Sequence, residues 1–158
     1  MRILVTGATG KVGQALLSAI AESSGHRETQ VVALCHNRSL EASERTQIIR
    51  GSISDREVVR KAVEGVTHVV HLATCKETPE AVMDVTVKVL FWLLEECRTN
   101  DSFQQFILIG GDAGVGHFFY PHPIPVTEQQ KHSAYPGCYA LSKVLEEVML
   151  EQYQIQYD

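Results

Sequence analysis

No apolar run in the 158 residues approaches the roughly 18 to 20 residues that span a bilayer. The N-terminus enters strand-like sequence at once, without the layout of a signal peptide, so a cytoplasmic, non-membrane protein is expected. Basic charge is also short. Fourteen Lys and Arg against nineteen Asp and Glu give a net charge of -5, which repels a phosphate backbone and argues against a nucleic-acid partner. The four cysteines, Cys35, Cys75, Cys97 and Cys138, form no CxxC pair. Zinc knuckles and redox dithiols are therefore not signalled, and reduced, mostly buried thiols are expected. Repeats, low-complexity tracts and a convincing linker are missing too. What remains is ordinary: 44% hydrophobic and 21% charged residues with a mean hydropathy of -0.05 suit one globular domain over residues 1–158.

Short apolar runs fit buried strands at Arg2 to Thr6, Gln30 to Cys35, Thr46 to Arg50, His68 to Leu72 and Gln105 to Ile109. Helical patterns lie between them. Val12, Ala15, Leu16, Ala19 and Ile20 repeat as one buried helix face, and Val58, Val59, Ala62 and Val63 suggest a second helix. A third starts near Pro79 and runs to about Arg98, with Val82, Val85, Val89 and Leu93 along one stripe. A last helix is expected from about Cys138 to Tyr153. Strands of this kind alternating with helices predict an α/β fold: a doubly wound parallel (Rossmann) sheet with helices on both faces and five strands present. Gly110 to Tyr135, with Pro121, Pro123 and Pro125, is a long irregular stretch, and loops of that length are often functional.

Gly7, Gly10 and Gly13 fall where the first strand turns into the first helix. The first permits the tight turn, the second lets the backbone approach a pyrophosphate, and the third lets the helix pack closely on the sheet. Free N–H groups at the helix start then face the anion.

The spacing Thr6-Gly7-Ala8-Thr9-Gly10-Lys11-Val12-Gly13 resembles the short-chain dehydrogenase/reductase superfamily. The rest of the chain looks like its extended branch, the NAD(P)-dependent epimerase/dehydratase family. Gly51-Ser52-Ile53-Ser54-Asp55 is similar to that family's Gly-Asp-(Ile/Leu)-x-Asp segment, whose apolar residue packs on the adenine, although Ser52 replaces the aspartate. His71-Leu72-Ala73-Thr74 resembles the HLAA motif beside the cofactor, and Tyr139-Ala140-Leu141-Ser142-Lys143 matches YxxxK. The resemblance implies a dinucleotide held by Gly7, Thr9, Gly10, Lys11, Val12, Gly13, Ser52, Ile53, Leu72, Ala73 and Thr74, with Tyr139 and Lys143 at the nicotinamide end.

Sites that prefer NAD usually place a carboxylate after the second strand, whereas a basic group suits the 2'-phosphate of NADP. Here that position is Cys35, followed by His36, Asn37 and Arg38, and no carboxylate occurs before Glu41. NADP is the expected cofactor and NAD the alternative, Arg38 being the main candidate for the phosphate, with His36 or Lys11 beside it. An ordinary solvated loop charge is the other reading of Arg38.

Tyr139 and Lys143 are four residues apart on a predicted helix, which stacks them on one face. A phenol is a poor base at neutral pH, and an adjacent ammonium favours its ionised form. The resemblance makes Tyr139 the acid/base of a hydride transfer, with Lys143 lowering its pKa and holding the nicotinamide ribose. The family's hydroxyl after the fifth strand is absent, because Gly111 occupies the serine position in Ile109-Gly110-Gly111-Asp112-Ala113-Gly114-Val115-Gly116. A backbone N–H, a water or Thr74 is left to stabilise the substrate oxygen. A non-catalytic NADP(H)-binding regulatory role therefore stands beside the enzymatic one. Asp112, His117, His122 and His132 are too irregularly spaced for a metal site, and His117 or Tyr120 is expected on the substrate side.

Family members continue into a sixth strand and a small substrate domain. Gln154-Ile155-Gln156-Tyr157-Asp158 falls where that strand should begin, so the chain reads as the N-terminal part of a longer protein or as a naturally shortened relative. The two long helices, near Pro79 to Arg98 and Cys138 to Tyr153, are expected to pair in a homodimer, or else simply to cover the sheet.

Overall fold

Five parallel strands form one sheet in the order β3-β2-β1-β4-β5: β1 (Arg2–Thr6), β2 (Gln30–Cys35), β3 (Thr46–Arg50), β4 (His68–His71) and β5 (Gln105–Leu108). The computed structural model describes residues 1–75 and 77–157. Helix α1 (Lys11–Glu22) follows β1, and α2 (Arg56–Val63) follows β3. After β4, α3 (Pro79–Ala81), a π-helical segment (Val82–Val87) and α4 (Lys88–Arg98) run on without a break, and α5 (Cys138–Tyr157) closes the described chain. The predicted doubly wound Rossmann sheet is the observed one, and every predicted strand starts on the expected residue. The chain winds outward from β1 to β3 and then crosses to β4 on the other side of β1. This reversal is the switch point at which such sheets open a crevice beyond their carboxyl ends.

The chain divides into two units, residues 1–74 with 92–109 and residues 75–91 with 110–158. The first contains the whole sheet. Leu4, Val5, Val32, Ala33 and Val69 are buried, as strands covered on both faces require. On one face Ile3, Val5, Ala8, Val31, Ala33 and Cys35 form a cluster joined by Leu16, Leu17, Ile20, Ile48, Val70 and Leu72. The stripe of α1 that reaches this cluster is thus Gly13, Leu16, Leu17 and Ile20, rotated from the predicted Val12, Ala15, Leu16, Ala19 and Ile20. Val12 is 64% exposed. The cause is Gly13, where a Cβ would lie 2.5 Å from the Gly7 carbonyl oxygen and 2.7 Å from the Ala8 Cα. The helix rests on the loop at a position with no side chain, which hydrophobic periodicity cannot score.

The second unit is helical. The inner face of α5 carries Ala140, Ser142, Lys143 and Glu146, and α5 packs on the Val82–Val87 segment and on a 3-10 turn at Asp112–Gly114. Thr78 caps α3 by accepting from the Ala81 amide at 3.4 Å, with Pro79 in the first helical position. Within the π-helical segment the buried Thr86 hydroxyl lies 3.5 Å from Cys75 Sγ. Residues 154–157, expected to open a strand, remain helical. Gln is a good helix former, and no Gly or Pro intervenes to stop the helix.

Candidate active site

In the first unit, β1 delivers the chain into the glycine loop at Gly7, whose φ of +66° is open to glycine and strained for other residues. A Cβ there would lie 2.8 Å from the Leu72 carbonyl carbon and 2.9 Å from the Ala73 nitrogen, so the loop and the extension of β4 meet backbone to backbone. Thr6 ties the same two segments. Its Oγ1 accepts from the Leu72 and Ala73 amides, each at 3.2 Å, and lies 2.7 Å from Nδ1 of the buried His71. With two N–H groups already aimed at the oxygen, the hydroxyl proton is directed to Nδ1. This hub was missed in the sequence, where its signal was a polar residue ending each of two apolar strands.

Gly10 caps α1. Its amide donates to the Gly7 carbonyl and its own carbonyl accepts from Gln14, both at 2.9 Å, and the Gln14 side chain holds the Thr9 carbonyl at 2.9 Å. No side chain caps α1 and no acidic residue lies in its first turn, whereas Asp55 accepts from the Glu57 amide at 2.9 Å to cap α2. The leading N–H groups of α1 therefore point past exposed Lys11 and Val12 with no side-chain acceptor. That arrangement fits a pyrophosphate.

At the neighbouring strand ends, Cys35 is 1% exposed and accepts from the Gly51 amide at 3.0 Å through its carbonyl. Burial pushes its thiol up, while the Arg50 charge and a backbone hydrogen bond at Leu40 pull it back. Ser52 Oγ accepts from the Ser54 amide at 3.2 Å, so this hydroxyl closes a local turn. Ser52 and Ile53 are half-buried; His36, Asn37, Arg38 and Thr74 are exposed. Gly7, Gly13, Leu72 and Ala73 are thus brought into one backbone cluster, with the Ser52 turn bound to the end of β2.

In the second unit, Tyr139 and Lys143 lie in the first two turns of α5. Lys143 Nζ sits 5.5 Å from the centre of the Tyr139 ring and bonds Glu146 Oε2 at 2.7 Å; the two charged side chains are 4% and 0% exposed. Burial pushes the Glu146 carboxyl up, and the Lys143 hydrogen bond and charge counter it. Glu146 was not anticipated from the sequence: a Lys and a Glu three apart read as an exposed pair, and only the packing of α5 reveals an inner face that is polar.

Gly111 stands opposite. A Cβ built there would be 3.9 Å from both the Tyr139 phenol oxygen and Lys143 Cγ, in ordinary contact, and its φ of -169° is extended backbone that any residue adopts. The position matched to the family's serine is thus beside the phenol and has room for a side chain. The predicted imidazoles are committed separately. His117 Nδ1 lies 3.5 Å from Asp112, and His132 Nε2 is 2.8 Å from Glu147. Tyr120 donates to the Ala134 carbonyl at 3.4 Å. Among the described residues no three His, Cys, Asp or Glu side chains gather as a metal site.

The model of the NAD dependent epimerase/dehydratase family matches residues 3–158. NAD-dependent glucose-6-phosphate dehydrogenase of Haloferax volcanii is 30% identical over 118 residues, 75% of this chain and 41% of that protein. UDP-glucuronic acid 4-epimerase from Bacillus cereus, solved with UDP-glucuronic acid and NAD, superposes with a TM-score of 0.84 at 24% identity, over 99% of this chain and 53% of that one. A short-chain dehydrogenase/reductase superfamily protein from Agrobacterium tumefaciens with bound NAD gives 0.82 at 25% identity, over 99% and 46%. The chain spans about half the length of these relatives. With the motifs from Gly7 to Lys143 in order along its length, the chain belongs to the NAD dependent epimerase/dehydratase family.

Proposed function

We propose that this chain is the nucleotide-binding part of an NADP(H)-dependent oxidoreductase or epimerase/dehydratase-like protein acting at a carbonyl or hydroxyl carbon. One observation carries the reading: Tyr139 and Lys143 share a turn of α5 with Gly111 beside the phenol oxygen. A nicotinamide bound there would supply or accept the hydride. Tyr139 moves the proton between its phenol oxygen and the substrate oxygen. Lys143 commits one of its three N–H groups to Glu146, which leaves two for a ribose hydroxyl and the phenol side. The start of α1, without a side-chain cap, supports pyrophosphate binding by Gly10, Lys11, Val12 and Gly13; Leu72 and Ala73 meet Gly7, and the motif resemblance adds Thr74, Ser52 and Ile53 to the proposed site.

The relatives named above are NAD proteins by description. NADP is nevertheless favoured here by Cys35, which offers no carboxylate to a ribose 2'-hydroxyl, and by the exposed Lys11, His36, Asn37 and Arg38. A second reading, a non-catalytic NADP(H)-binding regulator, draws support from the missing hydroxyl at Gly111 and from the neutralisation of Lys143 by Glu146. Among the described residues no helix is long and apolar enough to cross a membrane. A homodimer built on the Pro79–Arg98 and Cys138–Tyr153 helices is supported by apolar side chains left exposed along them, Met83 and Phe91 on one and Leu141 and Val148 on the other.

Fluorescence titration with NADPH and NADH tests the cofactor. Binding that Gly10→Ala weakens is expected, since a Cβ there meets the Gly7 oxygen at 3.2 Å and would push on the loop that is to hold the pyrophosphate. Absence of binding to either nucleotide overturns both readings. Turnover by the full-length protein that Tyr139→Phe leaves unchanged removes the acid/base role, and tight binding without turnover selects the regulator.

A further inference from the structure

The arginines of the first unit divide into two groups. Arg2 bonds Gln47, Arg45 bonds the carbonyls of Ala21, His26 and Arg27, and Arg56, Arg60 and Arg98 pair with Glu96, Glu57 and Glu95. These five are committed, Arg60 and Arg98 only to a neighbour on their own helix, whereas the side chains of Arg27, Arg38 and Arg50 have no hydrogen-bond or ion-pair partner among the described residues. Arg50 has no hydrogen-bond or ion-pair partner among the described residues, yet it is the last residue of β3 and exposed at the carboxyl edge of the sheet. Its Cα is in register with that of Cys35, the last residue of β2, and the Gly51 amide locks the pairing with a 3.0 Å bond to the Cys35 carbonyl. Neighbouring strands lie about 4.8 Å apart, so the guanidinium stem rises beside the position where an NAD site carries its carboxylate. The Arg50 charge is felt there, since it draws the buried Cys35 thiol back down. Arg38, three residues beyond Cys35, is likewise exposed and without a partner among the described residues.

We propose that Arg50 is a specificity-determining residue of this site, a guanidinium delivered by β3 that grips the adenosine 2'-phosphate together with Arg38 from the β2 loop. The inference rests on the NADP reading above and adds a residue that the segment after β2 does not contain. A planar guanidinium meets phosphate through two parallel N–H donors, and charge-assisted bonds of this kind are about twice as strong as neutral ones. Cys35 serves the arrangement by being small and uncharged. A carboxylate in its place would pair with Arg50 and repel the phosphate in one step.

The test is direct binding to the full-length chain. NADPH and NADH, with 2',5'-ADP and 5'-AMP as the adenosine halves, are titrated calorimetrically against the wild type, Arg50→Gln, Arg50→Lys and Cys35→Asp. Arg50→Gln should weaken NADPH and 2',5'-ADP about tenfold, ~1.4 kcal/mol, and leave NADH and 5'-AMP within about twofold. Arg50→Lys keeps the charge without the fork and should give a smaller loss confined to the phosphorylated pair; it also decides the matter if the glutamine variant fails to fold. Cys35→Asp should reverse the preference. Equal losses for phosphorylated and unphosphorylated ligands, or no loss for either, overturn the assignment of Arg50. A wild type that binds NADH more tightly than NADPH overturns the NADP reading instead, whatever Arg50 does.

Discussion

The two units of this chain differ in where their charge goes. Residues 1–74 with 92–109 hold ten acidic and ten basic side chains, including every arginine; residues 75–91 with 110–158 hold nine acidic against four basic. The whole net charge of -5 therefore belongs to the second unit. Their interiors differ in the same sense. The first buries aliphatic strands, its two cysteines, Cys35 and Cys97, and the polar Thr6, Thr29 and His71, whereas the second buries the charged Lys143 and Glu146 beside Thr86 and Ser142, with Cys75 and Cys138 half-covered. The unit with the glycine loop keeps the family's pattern almost intact. It departs from the motifs at Ser52, in place of aspartate, while the unit with Tyr139 has Gly111 where the matching segment has a hydroxyl and holds its lysine on a buried carboxylate. The proposed nucleotide binding and the proposed proton transfer thus rest on different units of the chain.

Restoring the hydroxyl puts the largest strain on this contrast. Gly111→Ser has room and a permitted backbone, so melting temperature should stay nearly constant. A missing donor of this kind costs roughly 2.7 to 4 kcal/mol of transition-state stabilisation, on the order of 100-fold or more in rate. Full-length protein with the substitution should turn over faster by about that factor in a nicotinamide absorbance assay, with NADPH affinity unaltered. If the rate does not move, the departure at Gly111 is not what separates the two units.

A smaller effect should come from Glu146. Its folded-state carboxyl titrates above its unfolded value because of burial, so between the two values the native state binds more protons than the unfolded chain. Stability is then greatest below the ordinary carboxylate range and falls as pH rises through the raised value. Glu146→Gln should flatten that slope in denaturation series run across mildly acidic pH. A slope identical to wild type would mean that the pair with Lys143 offsets the burial completely.

The thiols sharpen the comparison at the smallest cost in energy. Burial and the Glu96 charge push Cys97 up to about 12, and burial raises Cys35. Both should resist a thiol reagent at neutral pH until the protein unfolds, while Cys75 and Cys138 label first. Mass spectrometry of partly labelled protein would reveal the order. Early labelling of Cys97 would contradict the packing of the first unit.

Most of the sheet was legible in the sequence because a strand buried on both faces writes itself as a short apolar run, and the five runs gave five strands with their starts. The glycine loop was legible because its positions are conformational demands. What periodicity could not supply was contact made by backbone or by polar side chains facing inward. Gly13 turned α1 away from the predicted face because glycine has no hydrophobicity to count. Glu146 looked like solvent until packing absorbed it. The end of α5 was misplaced for a related reason: the family's pattern called for a strand after YxxxK, and local helix propensity prevailed over residues 154–157.

Gly111 also bears on how easily this chain could change its chemistry. Its backbone is extended and its surroundings open, so the fold offers no resistance to a side chain there, and some glycine codons lie a single nucleotide from serine. The hydroxyl is separated from the phenol by a point mutation rather than by any rebuilding of the loop. Laboratory selection for turnover would be expected to find that position early.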